Sequence, residues 1–132
     1  MRVAEYASAA GFRAAVEAKL RQTAHKLGVP SYIVRRQAAL ERLLVRLGRA
    51  APGRWAVKGG FALETRLGDR ARASLDLDAD HAVGGDAARE DLQRAAIVDL
   101  GDHFAFAVTE TETFRESTDS LAIRYHLESS LA

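Results

Sequence analysis

Phe12, Val16, Leu20, Ala24 and Leu27 recur at helical intervals, and Gly28 followed by Pro30 supplies a stop, so the spacing predicts an amphipathic helix over residues 9–27. From Ser31, read as an N-cap, Ile33, Leu40, Leu44 and Leu47 form a second stripe that ends at the Ala-Ala-Pro-Gly-Arg stretch 50–54. Arg35, Arg42, Arg46 and Arg49 follow at steps of 7, 4 and 3 and fall on the opposite face. The pattern then changes. Trp55 to Val57 reads as a short buried strand running into Lys58-Gly59-Gly60, and Phe61 to Leu67 returns to helical spacing. After a loop, Leu75, Leu77 and Ala79 alternate with Asp76, Asp78 and Asp80. Alternation of this kind predicts a strand with one buried face, which places all three carboxylates on the other. Residues 86–100 read as a helix capped by Asp86, and residues 103–109 and 121–128 as strands. The polar run Thr-Glu-Thr-Glu-Thr-Phe-Arg-Glu-Ser-Thr-Asp-Ser between those strands reads as a hairpin or loop.

Two helices followed by strands and helices in turn predict a helical first part and a mixed second part. The 132 residues suit one domain, with a helical part over 1–53 and an α/β core over 54–132. At 48% hydrophobic and 28% charged residues, the chain can build a core and lacks the depletion of disordered sequences. No apolar run approaches the roughly 20 residues that span a bilayer, and the first residues lack the apolar centre of a signal peptide. The expected location is the cytoplasm, with no membrane partner. Cysteine is absent, which removes disulfides, zinc thiolates and thiol nucleophiles together. The four histidines show no zinc spacing, and no Ser-His-Asp arrangement is legible.

The net charge of +1 conceals a segregation. Residues 1–60 hold twelve Lys or Arg against three Asp or Glu, and residues 61–132 hold seven against fifteen. Either the two parts neutralise one another, or a basic surface for a polyanion lies beside an acidic, cation-binding pocket. Arg35, Arg42, Arg46 and Arg49 can track RNA phosphates, although most charged helix faces are simply solvated.

The aspartates are the sharpest chemical signal. Aspartate is depleted in strands, and carboxylates on one face repel unless a cation offsets them. Asp76 and Asp78, two residues apart on one face, suit a hard cation such as Mg²⁺ or Mn²⁺ that keeps positions open for phosphate oxygens. Gly59 and Gly60 offer a backbone that a phosphate chain can approach, at the start of a helix whose amides favour anions. The spacing is not that of a Walker loop, because Lys58 precedes the glycines.

In combination, a strand, Gly-Gly, a helix and Arg-x-Ser-x-Asp-Leu-Asp resemble the polymerase-β-like nucleotidyltransferases. The stretch KGGFALETRLGDRARASLDLD is similar, more narrowly, to the signature of the AbiEii/AbiGii abortive-infection toxins. That resemblance implies an α+β, polymerase-β-like nucleotidyltransferase fold, a small mixed sheet with flanking helices and an N-terminal helical pair. It also implies a metal-dependent transfer of a nucleoside monophosphate from an NTP to an RNA 3′ end, with tRNA as acceptor and a cognate antitoxin as protein partner. Carried over by position, Asp76 and Asp78 would be catalytic and hold Mg²⁺ or Mn²⁺, and Gly59 and Gly60 would contact the triphosphate. Lys58, Arg72 and Ser74 would flank the phosphates, whereas Asp80 would be a solvated neighbour. Position 61 is Phe where the family usually carries a small hydroxyl residue. Relatives also draw a third carboxylate from a later strand, for which Glu128 is the nearby stand-in, and further catalytic residues from a C-terminal region that residues 1–132 are expected to lack. The alternative is a catalytically incomplete form of the fold that binds nucleotide, RNA or a partner chain.

Overall fold

The computed structural model describes residues 7–58, 78–117 and 120–131. The expected Gly59-Gly60 turn, the helix from Phe61, and Arg72, Ser74 and Asp76 lie outside those residues. Among the described residues the order is α1 (Ala9–Leu27), α2 (Ser31–Ala50), β1 (Trp55–Lys58), β2 (Asp78–His81), α3 (Gly85–Ala96), β3 (Phe104–Ser117) and β4 (Ser120–Leu131). The class is α+β, as the resemblance implies. The strands pair antiparallel as two ladders, β1 with β2 and β3 with β4.

Helix α1 has the bounds that its stripe predicts because both ends carry local stop signals. Ser8, extended at φ −151°, accepts a hydrogen bond from the Gly11 N–H, satisfying one of the donors that a helix start leaves open. At the other end Gly28 takes φ 68°, which a residue without Cβ adopts cheaply. The Val29 and Gly28 amides then return to the carbonyls of Ala24 and His25, a Schellman closure. Ser8→Ala should cost about 1 kcal/mol, read as a lowered midpoint of thermal unfolding.

Helix α2 departs from expectation in its cap and in its buried face. Ser31 is its first residue, Pro30 occupies the cap position, and no side chain caps it. Proline suits a helix start because the N–H it lacks would be unpaired there anyway. The fully buried residues are Val34, Leu43, Arg46 and Leu47, so the face is turned from the predicted stripe, leaving Ile33, Leu40 and Leu44 half-buried. Leu43 and Leu47 meet Leu92 and Ala95 of α3, and Trp55, Phe106, Val108, Tyr125 and Leu127 pack around them. Each buried leucine of such a cluster contributes about 2 kcal/mol through removal of apolar area from water. The core thus lies where α2, α3, β1 and the β3–β4 hairpin converge.

Helix α3 is shorter than predicted. Gly84 is its cap residue, and Asp86 lies inside the first turn, where its charge complements the helix dipole. The hairpin is longer than predicted, because the polar run after Thr109 continues β3 through Ser117 and pairs with β4. Residues 104–108 and 125–131 bring apolar side chains to the core, whereas residues 109–113 are exposed.

Candidate active site

The β1–β2 ladder sets the aspartate face. Ala79 and His81 turn inward from β2, Trp55 and Val57 turn inward from β1, and Asp78, Asp80, Ala56 and Lys58 are exposed. The register places Lys58 opposite Asp78 and Ala56 opposite Asp80. Asp78 and Asp80 therefore share one face, as the alternation predicts. Lys58 Nζ reaches diagonally to Asp80 Oδ1 at 3.0 Å. No hydrogen bond or ion pair joins Asp78 to another described residue. Among the described residues the two carboxylates differ: Asp80 pairs with the lysine, and Asp78 has no such partner. An exposed ion pair of this kind contributes at most about 1 kcal/mol.

The inner face of the same ladder holds a second group. The side chains of His81 and Asp91 are 3% and 1% exposed, and His81 Nε2 lies 2.6 Å from Asp91 Oδ2. His81 Nδ1 accepts hydrogen bonds from the Val83 and Gly84 amides at 3.1 and 2.9 Å. Those two donors fix the tautomer: the proton is on Nε2, and the ring donates to Asp91. Arg54 Nη1 donates to the same carboxylate at 3.2 Å, and Arg94 Nη2 donates to its other oxygen. Asp91 is held at a pKa of about 2, chiefly by the His81 hydrogen bond; burial opposes the shift, and Arg94 and Arg54 add to it. With both ring nitrogens engaged and the carboxylate ionised, this group is a clamp and not a general base. Asp91 and its role are absent from the sequence reading. Its signal is an acid set among Ala88, Leu92 and Ala95, on the buried stripe of α3.

The arginines of α2 divide. Arg46 is fully buried. Its Nη2 and Nη1 bind the two oxygens of Asp102 at 2.7 and 3.0 Å, and Nε and Nη2 donate to the Val98 and Phe104 carbonyls. The guanidinium also lies 5.0 Å from the centre of the Phe106 ring, a cation–π contact. Arg42 Nε donates to Asp102 at 2.8 Å. Asp102 is held at a pKa of about 2: burial pushes it up, but hydrogen bonds from Arg46, Arg42 and the Phe104 amide outweigh that. The expectation that Arg46 faces RNA is therefore corrected, since it sits inside the protein with every direction of its fork engaged. Arg42 is turned to the same carboxylate. Arg35 pairs with Glu17 of α1 at 2.8 Å, and Arg49 is exposed.

On the hairpin, Glu110, Glu112 and His126 bring one ligand atom each within 4.8 Å of one another, a set able to hold a divalent cation. Glu112 also faces Arg124 at 3.9 Å and His126 at 3.5 Å. This group belongs to the β3–β4 ladder and Asp78 to the β1–β2 ladder. Glu128 is exposed on β4 opposite Ala107.

Among the described residues no helix is long and apolar enough to cross a membrane. No curated protein matches the chain significantly, and no solved structure does. The family model described as the nucleotidyl transferase AbiEii toxin of type IV toxin–antitoxin systems matches residues 42–131, more than half of the chain. The match takes in the end of α2, both strand ladders and Asp78, and the chain belongs to the AbiEii family of nucleotidyltransferase toxins.

Proposed function

We propose that the chain transfers a nucleoside monophosphate from an NTP to the 3′ end of an RNA, with tRNA as the acceptor, in the bacterial cytoplasm and under control of a cognate antitoxin. The observation that carries this reading is Asp78: an exposed carboxylate without an ion pair among the described residues, on a strand face beside Lys58, within the stretch the family model matches. That environment fits a hard divalent cation, because among the described residues no arginine or lysine pairs with its carboxylate oxygens. Asp76 and Asp78 would hold Mg²⁺ or Mn²⁺. Bound there, the ion supplies charge stabilisation at the α-phosphate and acidifies the attacking hydroxyl.

The protein's own residues do the rest. Gly59 and Gly60 present backbone amides to the triphosphate, and Arg72 and Ser74 contact its oxygens by charge and hydroxyl hydrogen bond. Lys58 offers a further cation to the phosphate chain while neutralising Asp80. On this account Asp80→Asn retains most of the activity, with a change in kcat of less than about tenfold, because its loss removes only an exposed ion pair. Steady-state transfer rates check this.

Incubation with each α-labelled NTP and bulk tRNA, intact or oxidised by periodate at its 3′ diol, tests the reading. Label on intact tRNA alone is the expected result. Equal labelling of oxidised tRNA contradicts attack by the 3′-hydroxyl. Binding of NTP without transfer to any RNA favours a nucleotide-binding role in place of an enzyme.

A further inference from the structure

His81 ends β2 three residues after Asp78, with its ring on the face opposite the aspartates. Its two nitrogens anchor different things. Nδ1 gathers the Val83 and Gly84 amides, which shapes the turn into α3. Nε2–H crosses to Asp91 on α3 itself, and the same carboxylate receives Arg54 from the residue before β1. Trp55, the register partner of His81, packs edge-on against the imidazole with ring centres 4.6 Å apart. One buried carboxylate thus ties the start of β1, the end of β2 and the middle of α3 together.

The tie matters because of how β2 is paired. Its described residues, Asp78–His81, pair among the described residues with β1 alone. An isolated two-stranded ladder is marginal in water, and a metal ligand must be held to within a fraction of an ångström to be useful. Lys58 and Asp80 are exposed and add little rigidity. The side that can fix the strand is the buried one.

We infer that the hydrogen bond from His81 to Asp91 is a positioning device: it holds β2 so that Asp78 presents its carboxylate to the divalent cation of the transfer reaction. This inference rests on the transferase reading above. His81 touches neither the cation nor substrate and acts through the strand. Its loss therefore shows first in metal affinity and strand protection, before any effect on global folding.

Two isosteric variants separate the anchors. His81→Gln places an amide N–H near the position of Nε2 and keeps a donor for Asp91, but it loses the Nδ1 acceptor. His81→Asn keeps an acceptor near Nδ1 and is too short to reach Asp91. Mn²⁺ affinity is read from the electron paramagnetic resonance signal of the free ion, and amide hydrogen exchange over residues 78–81 is measured on the same samples. Asp78→Asn serves as the control for the site. Supporting interactions behind metal ligands typically contribute 10–100-fold in affinity, so His81→Asn should weaken Mn²⁺ binding by about tenfold or more. It should also accelerate exchange in β2, and His81→Gln should stay close to wild type in both readings. If the two variants bind Mn²⁺ equally well or equally poorly, the positioning role is overturned. Should His81→Asn fail to fold, Asp91→Asn carries the same test, because its carboxamide cannot serve His81 and both arginines at once, and wild-type affinity in it overturns the inference. A wild-type chain that binds no Mn²⁺, or an Asp78→Asn variant that binds it as tightly as wild type, overturns the transferase reading and the inference with it.

Discussion

Asp78→Asn should abolish nucleotide transfer, lowering kcat by at least about 100-fold, with the unfolding temperature unchanged or slightly raised. The size follows from what a bound cation contributes. Stabilising charge at a phosphoryl centre is worth several kcal/mol, each 1.36 kcal/mol is a factor of ten in rate, and on the proposed reading the amide would remove one of two anionic ligands. Stability is expected to hold because Asp78 is exposed and has no ion pair among the described residues. Loss of its charge removes like-charge repulsion on a strand face that also carries Asp80. Single-turnover transfer beside a thermal melt separates the two effects. A variant that retains wild-type turnover would remove Asp78 from the site.

The second large effect is structural. Asp102→Ala should destabilise the fold by about 3 kcal/mol, since it leaves the Arg46 guanidinium fully buried without its carboxylate. The low end of the range for broken buried pairs applies, because Asp102 keeps 12% of its side chain exposed and Arg42 keeps 37%. Replacing both partners, as in Arg46→Met with Asp102→Ala, should cost less than Asp102→Ala alone, because no buried charge is then stranded. Chemical denaturation of the two variants checks the ordering. The pair also has a pH signature. Asp102 titrates at about 2 in the folded chain against an ordinary 3.8, so the unfolded chain binds the proton first as pH falls. Its stabilisation is complete above the ordinary carboxylate range and is lost as pH drops from about 4 through about 2. Asp91, likewise held at about 2, follows the same direction. Asp102→Ala should therefore flatten the acid limb of the stability profile.

What the sequence made legible was what local pattern controls. The bounds of α1 follow from its stripe, Ser8 and the Gly28 closure, all within a few residues of one another. The shared face of Asp78 and Asp80 follows from the two-residue period of a strand. Arg46 was illegible for a different reason. Periodicity counts a guanidinium as polar and assigns it to water, and only Asp102, brought back across α2 by the fold, reverses that assignment. Asp91 is the same case on α3. Its charge is tolerated on an apolar stripe because His81 and Arg54 converge on it from elements that sequence spacing does not bring together, joined by Arg94 one turn along α3. The hairpin was underestimated because Thr-Glu alternation shows no apolar face, whereas a ladder closes through backbone hydrogen bonds that need none. The segregated charge now has a physical use in part: Arg42, Arg46, Arg54 and Lys58 from the basic segment neutralise Asp102, Asp91 and Asp80 from the acidic one. Part of the segregated charge is therefore spent within the molecule, whereas Arg49 of α2 is exposed.

Transfer of label from α-labelled NTPs to bulk tRNA in Mg²⁺ or Mn²⁺, by the wild-type chain and by Asp76→Asn, tests the central claim most directly. The account predicts labelling that requires the cation, favours one nucleotide and disappears in the variant. Labelling that persists in Asp76→Asn, or that proceeds equally in excess chelator, would contradict it.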